Sequence, residues 1–147
     1  VISKKDVTDI VATAKLRAGI TWKEIADKIG KPLVWTIAAL QGQHPMSRED
    51  AVSVGSLLSL DEEVVEALQR QPYRGTQDGA HPIDPTIYRF HEALQVYGPA
   101  IKEVIHEEFG DGIMSAINFK VDVQRRADPA GDRVVVTFDG KFLDYQW

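Results

Sequence analysis

The sequence predicts an α+β chain in two parts: an N-terminal all-α helical bundle over residues 1–72 and a small C-terminal α+β domain with a β-hairpin over residues 73–147. Three observations predict it. Apolar residues recur at helical spacing between cap signals through the first seventy residues, Gly, Pro and polar residues crowd 70–84, and after Gly112 the period shortens to two. At 147 residues the chain is long enough for a real core, and with no cysteine it needs neither disulfides nor a thiolate metal site.

The first helix is expected over 4–18, with Val7, Ile10, Val11 and Ala14 on one face and Gly19 as its stop. Thr21 and Glu24 form a capping box, so a second helix runs from Trp22 to Ile29 and ends at Gly30. Leu33–Leu40 is a third helix, Ser47 caps a fourth, and a fifth follows Asp61. Together TWKEIADKIGKPLVWTIAALQGQ has the outline of the helix-turn-helix found in repressors. A DNA-reading helix offers Arg, Lys, Asn or Gln to base edges, whereas between Leu33 and Leu40 only Thr36 bonds strongly and Trp35 adds one donor. Charge points the same way: residues 1–70 carry nine Lys/Arg against ten Asp/Glu, and the remainder eight against twelve. Neither half has the basic excess of a nucleic-acid binder, and packing is the expected task of the third helix.

The connector at 70–84 marks the domain boundary. Asp84 caps the next helix with Pro85 in its first turn. That helix is expected to break at Gly98-Pro99 and to be followed by another over 100–109. Ile117, Phe119, Val121 and Val123 alternate with polar residues, as do Val134, Val136 and Phe138, and the DPAGD turn between them makes a hairpin. Two strands on short helices leave apolar surface uncovered, so a partner subunit is expected to complete this half. No run approaches a membrane span and the first residues lack the apolar stretch of a signal peptide, so a cytoplasmic location is expected.

The stretch 84–119 concentrates the polar residues that packing does not demand. Arg89 and Glu92 lie three apart and share a helix face, a spacing that also fits a plain exposed ion pair. Their company, Tyr88, Phe90 and Tyr97, and Ser115 at a loop-to-strand junction favour a pocket. His91 and His106 each precede a glutamate without metal-ligand spacing, His44 and His81 fall in loops, and Ser115 lacks the G-x-S-x-G frame of a triad hydrolase.

DPTIYRFHEALQVYG followed by HEEFGDGIMSAINFKVDV resembles the signature of the cyanase family, also called cyanate hydratase or cyanate lyase. The likeness covers nearly all of 72–142 and extends in kind to the helical half, while the ending LDYQW departs from the Pro- and Lys-containing tail of bacterial members. The resemblance implies bicarbonate-dependent decomposition of cyanate through carbamate to ammonia and carbon dioxide, with bicarbonate as co-substrate and no metal or organic cofactor. It also implies a catalytic trio falling on Arg89, Glu92 and Ser115. Arg89, Ser115 and the Ala116 backbone are then expected to bind substrate. It further implies a homodecamer of five dimers, with a dimerising C-terminal domain, sites between subunits, and no nucleic-acid or membrane partner.

Overall fold

The computed structural model describes residues 1–72 and 84–146. Five helices come first: α1 Lys4–Ala18, α2 Trp22–Ile29, α3 Leu33–Leu40, α4 Arg48–Leu58 and α5 Glu62–Gln69. A long helix, α6 Pro85–Phe109, and an antiparallel hairpin of β1 Gly112–Arg126 and β2 Arg133–Asp144 complete the chain. Two compact units result, Val1–Gly75 with Asp122–Val134, and Thr76–Val121 with Val135–Trp147. The expected boundary after residue 72 and the loop position of His81 fall on or beside residues outside the described ones.

The bundle forms where local signals place it. Thr21 Oγ1 accepts from the Glu24 amide while the Glu24 carboxylate accepts from the Thr21 amide, closing the box, and Gly30 ends α2 at φ 66°, a left-handed conformation that glycine adopts without strain. A second box, unread in the sequence, starts α1: Ser3 Oγ accepts from Asp6 N and the Asp6 carboxylate accepts from Ser3 N. Those bonds hold the Asp6 carboxyl below its usual range. The core takes Val7 and Val11 from α1, Ile25 from α2, Leu40 from α3, Val54 from α4 and Leu68 from α5, all at most 1% exposed. Each contributes about 1.5–3 kcal/mol on burial. Gly55 matters to this packing, because a Cβ there would stand 2.5 Å from Val65 Cγ2.

Helix α3 is built to bury. Its one strong hydrogen-bonding side chain, Thr36, is fully buried and donates back to the Pro32 carbonyl at 2.9 Å. Trp35 packs against the core and stacks on His44 with ring centroids 5.8 Å apart. No Arg, Lys, Asn or Gln lies between Leu33 and Leu40 to meet a base edge.

Asp84 caps α6 as expected, its Oδ1 accepting from Thr86 N at 2.8 Å and Ile87 N at 3.1 Å, with Pro85 in the first turn. The expected break at Gly98-Pro99 does not occur: α6 runs through both residues to Phe109. Proline disfavours helix in its predecessor partly through that residue's Cβ, and Gly98 has none. What remains is the missing Pro99 N–H bond to the Gln95 carbonyl and the ring's crowding of that carbonyl, a cost a helix of 25 residues absorbs. Continuity has a consequence. Ile87, Phe90, Leu94, Tyr97, Ile101 and Val104 form one stripe at alternating spacings of three and four, and all are at least 44% exposed.

The hairpin is longer than its alternating core of residues suggests, because β2 continues through Asp139-Gly140 to Asp144. Gly140 permits a close approach: a Cβ on it would collide with Met114 Cγ and come within 2.6 Å of the Ser115 carbonyl oxygen. Phe119 and Phe138 pack as a tilted pair across the strands with ring centroids 5.4 Å apart, and at the turn the Asp128 carboxylate accepts from Ala130 N while Arg125 pairs with Asp132 at 2.6 Å. Among the described residues from 84 onward only Gly112 and Ser115 are buried. Ile117, two residues from Ser115, is 98% exposed. The described residues of this half form no buried apolar core within a single chain.

Candidate active site

Arg89 stands in the second turn of α6, held there by the Asp84 cap and Pro85. Its Nη1 donates to Glu92 Oε2 at 3.1 Å, with both side chains more than half exposed. A pair so exposed adds at most about 1 kcal/mol to stability, so the fold does not require it. On the helical wheel Arg89 and Glu92 lie across α6 from the Ile87–Val104 stripe. An apolar neighbour covering the stripe therefore leaves the guanidinium and the carboxylate open on the other side.

Ser115 occupies a different setting. It is the fourth residue of β1, inside the strand and not at a loop junction, and it is 5% exposed. Its Oγ accepts from Ile117 N at 3.1 Å and from Asn118 N at 3.0 Å. Successive amides of an ideal strand point to opposite edges, so two of them meeting one oxygen means that β1 bends locally here. A hydroxyl has two lone pairs and one proton. Both lone pairs are engaged, and the proton is what Ser115 has left to give. The two amides also draw electron density from Oγ, which makes the O–H a stronger donor and the oxygen a weaker nucleophile. Ala116, next on the strand, is exposed.

Within one chain Arg89 and Glu92 meet each other, while Ser115 bonds its own strand. A cleft of about 410 Å³ opens between α6 and the hairpin base, lined by Leu94, Ile101, His106, Met114 and Tyr145 among others, and none of Arg89, Glu92 or Ser115 lines it. Among the described residues no group of three or more His, Asp or Glu is arranged to hold a metal ion. Sequence reasoning missed the amides of Ile117 and Asn118, whose role depends on a bend that side-chain alternation does not report.

Residues 80–147 match the family model described as the cyanate lyase C-terminal domain, and residues 4–72 match that of the cyanate hydratase N-terminal domain. The chain belongs to the cyanate hydratase family. Among curated relatives, the cyanate hydratase of Mycolicibacterium vanbaalenii is 58% identical over 99% of this chain and 95% of that one. The cyanate hydratase of Dechloromonas aromatica is 48% identical over 99% of each. The crystal structure of cyanase from T. urticae superposes with a TM-score of 0.82 at 38% identity, covering 93% of this chain and 96% of that one. Cyanate hydratases of this family thus share both halves of the chain, including the helical half. No helix among the described residues is long and apolar enough to cross a membrane.

Proposed function

We propose that this chain is a cyanate hydratase that joins bicarbonate to cyanate at Arg89 and Ser115, with Glu92 orienting Arg89, and that the site is closed by neighbouring copies. Both substrates are monoanions. At ~4 Å their repulsion is about 4 kcal/mol for an effective dielectric near 20. Arg89 offsets it with a permanent charge and a planar fork suited to carboxylate oxygens. Ser115 adds a directed O–H, and the Ala116 amide is the next donor along the strand.

A bicarbonate oxygen attacks the cyanate carbon, forming a C–O bond, and the bicarbonate proton passes to nitrogen. The dianion then loses carbon dioxide by cleavage at the bridging oxygen and, with one proton from solvent, leaves carbamate. Carbamate takes a second proton and divides into ammonia and carbon dioxide. The residues orient and stabilise charge, and none of them bonds covalently to substrate. The observation that carries this reading is the saturation of Ser115 Oγ by two amides, which suits a donor to an anion and not a nucleophile. Glu92 would repel anions at first hand, and its 3.1 Å bond to Arg89 fits an orienting role.

Assembly follows from the exposed apolar half. The α6 stripe and the hairpin need a cover, and a second copy carries a matching surface. The family resemblance makes that assembly a decamer of five dimers, with 1–72 as the helical domain and 73–147 as the catalytic and oligomerising one. In support, the bundle core ends at Leu68. Ammonia release from cyanate measured with and without added bicarbonate tests the reaction. Release that requires bicarbonate is expected, and equal release in a carbonate-free buffer would overturn it.

A further inference from the structure

The two strands of the hairpin fall out of step beside Ser115, and Gly140 stands where they do. β1 carries 15 residues and β2 carries 12. On β2 the Gly140 backbone lies against the Met114 side chain and the Ser115 carbonyl, whereas Phe138, two residues earlier, packs on Phe119, four residues after Ser115. An unbroken antiparallel ladder advances both strands equally, so β1 bulges between Ser115 and Phe119. The residues between them behave accordingly. Ile117 is 98% exposed, and the amides of Ile117 and Asn118 both turn to Ser115 Oγ, at 3.1 Å and 3.0 Å. A bulge bends its strand and re-aims the side chain beside it, which here is the Ser115 hydroxyl.

Glycine at 140 admits this arrangement. A Cβ there would collide with Met114 Cγ and stand 2.6 Å from the Ser115 carbonyl oxygen. Met114 has a flexible side chain and can turn aside, but the carbonyl is backbone of the residue that carries the hydroxyl. Any side chain at 140 therefore displaces Ser115 itself, and the geometry that joins Oγ to two amides relaxes. An oxygen released from those amides regains its lone pairs, and its proton loses a fixed direction.

We propose that Gly140 is a positioning residue for the reaction, acting through Ser115: it lets β2 close on the bulge that saturates Oγ and aims the hydroxyl proton at the bound anion. The inference rests on the reading of Ser115 as an anion donor given above. Gly140→Ala is expected to lower kcat for bicarbonate-dependent ammonia release about tenfold to hundredfold, the scale of moving a reacting group's partner by about 1 Å. KM is expected to stay nearly unchanged, because the donor acts most on the charge of the intermediate. In a Ser115→Ala background the same substitution is expected to have no further effect, since the group it positions is gone. A further fall there as large as in the wild type overturns the proposal, because a general loss of folding or assembly depresses both backgrounds alike. Wild-type kcat in Gly140→Ala overturns it as well. Full activity in Ser115→Ala alone overturns the donor reading, and the proposal with it. Gly140→Ala combined with Met114→Ala removes the side-chain half of the conflict and keeps the half against the Ser115 carbonyl, so it protects the test against a misfolded single variant. Its kcat is expected to fall to the same extent, with circular dichroism and light scattering as in the wild type, and wild-type kcat in this pair would place the conflict at Met114 and overturn the proposal.

Discussion

Arg89→Lys is expected to lose nearly as much turnover as Arg89→Ala, a fall of about 10²–10³-fold in kcat/KM, the scale of deleting one preorganised donor to a developing anion. Lysine keeps the charge and loses the fork. The loss therefore separates bidentate recognition from simple electrostatic attraction, which a point ammonium would preserve. The pair with Glu92 is exposed and contributes little to folding, so both variants should retain wild-type melting temperature within about 1–2 °C. Steady-state ammonia release, with thermal unfolding followed in parallel, checks the expectation. Full activity in Arg89→Lys would reduce Arg89 to a general positive charge.

Ile101→Asp is expected to take the assembly apart and abolish activity while leaving the helical bundle folded. Ile101 lies in the middle of the α6 stripe and lines the cleft at the hairpin base. A carboxylate placed under a covering subunit without a partner costs several kcal/mol, more than most interfaces tolerate at one position. The bundle core lies wholly within residues up to Leu68, so its own unfolding transition should persist. Light scattering together with far-UV circular dichroism distinguishes the outcomes. An assembled and active Ile101→Asp would place the stripe outside any interface.

Much of this fold was legible because its signals are local. Thr21 with Glu24, Gly30, Ser47, and Asp84 with Pro85 each act within four residues, and each marks a helix end in the structure. Gly98-Pro99 misled for a related reason. The rule that proline ends a helix rests in part on a predecessor carrying a Cβ, and here the predecessor is glycine. Once α6 is read as two pieces, the stripe from Ile87 to Val104 is cut and its regularity disappears. The site was legible in part. Arg89 and Glu92 follow from helical spacing, while the resemblance, not the spacing, assigned them roles. Ser115 was identifiable as a residue, but its bonds to Ile117 and Asn118 arise from a bend that the alternating pattern does not encode. The apolar exposure of the second half belongs to a surface whose counterpart is another molecule, and a single sequence states only that something must cover it.

On the proposed function, closure of the site by neighbouring copies means that Arg89 and Ser115 act on one substrate pair from different copies of the chain. Subunit exchange between Arg89→Ala and Ser115→Ala tests it most directly. Each variant alone should be nearly inactive and assembled. After the two are dissociated, mixed in equal amounts and reassembled, a site that draws Arg89 from one copy and Ser115 from another is intact in about a quarter of cases under random mixing. Recovery of about that fraction of wild-type ammonia release is the expected result. Hybrids that form but remain as inactive as their parents would show that one chain supplies both residues, and would contradict the shared site.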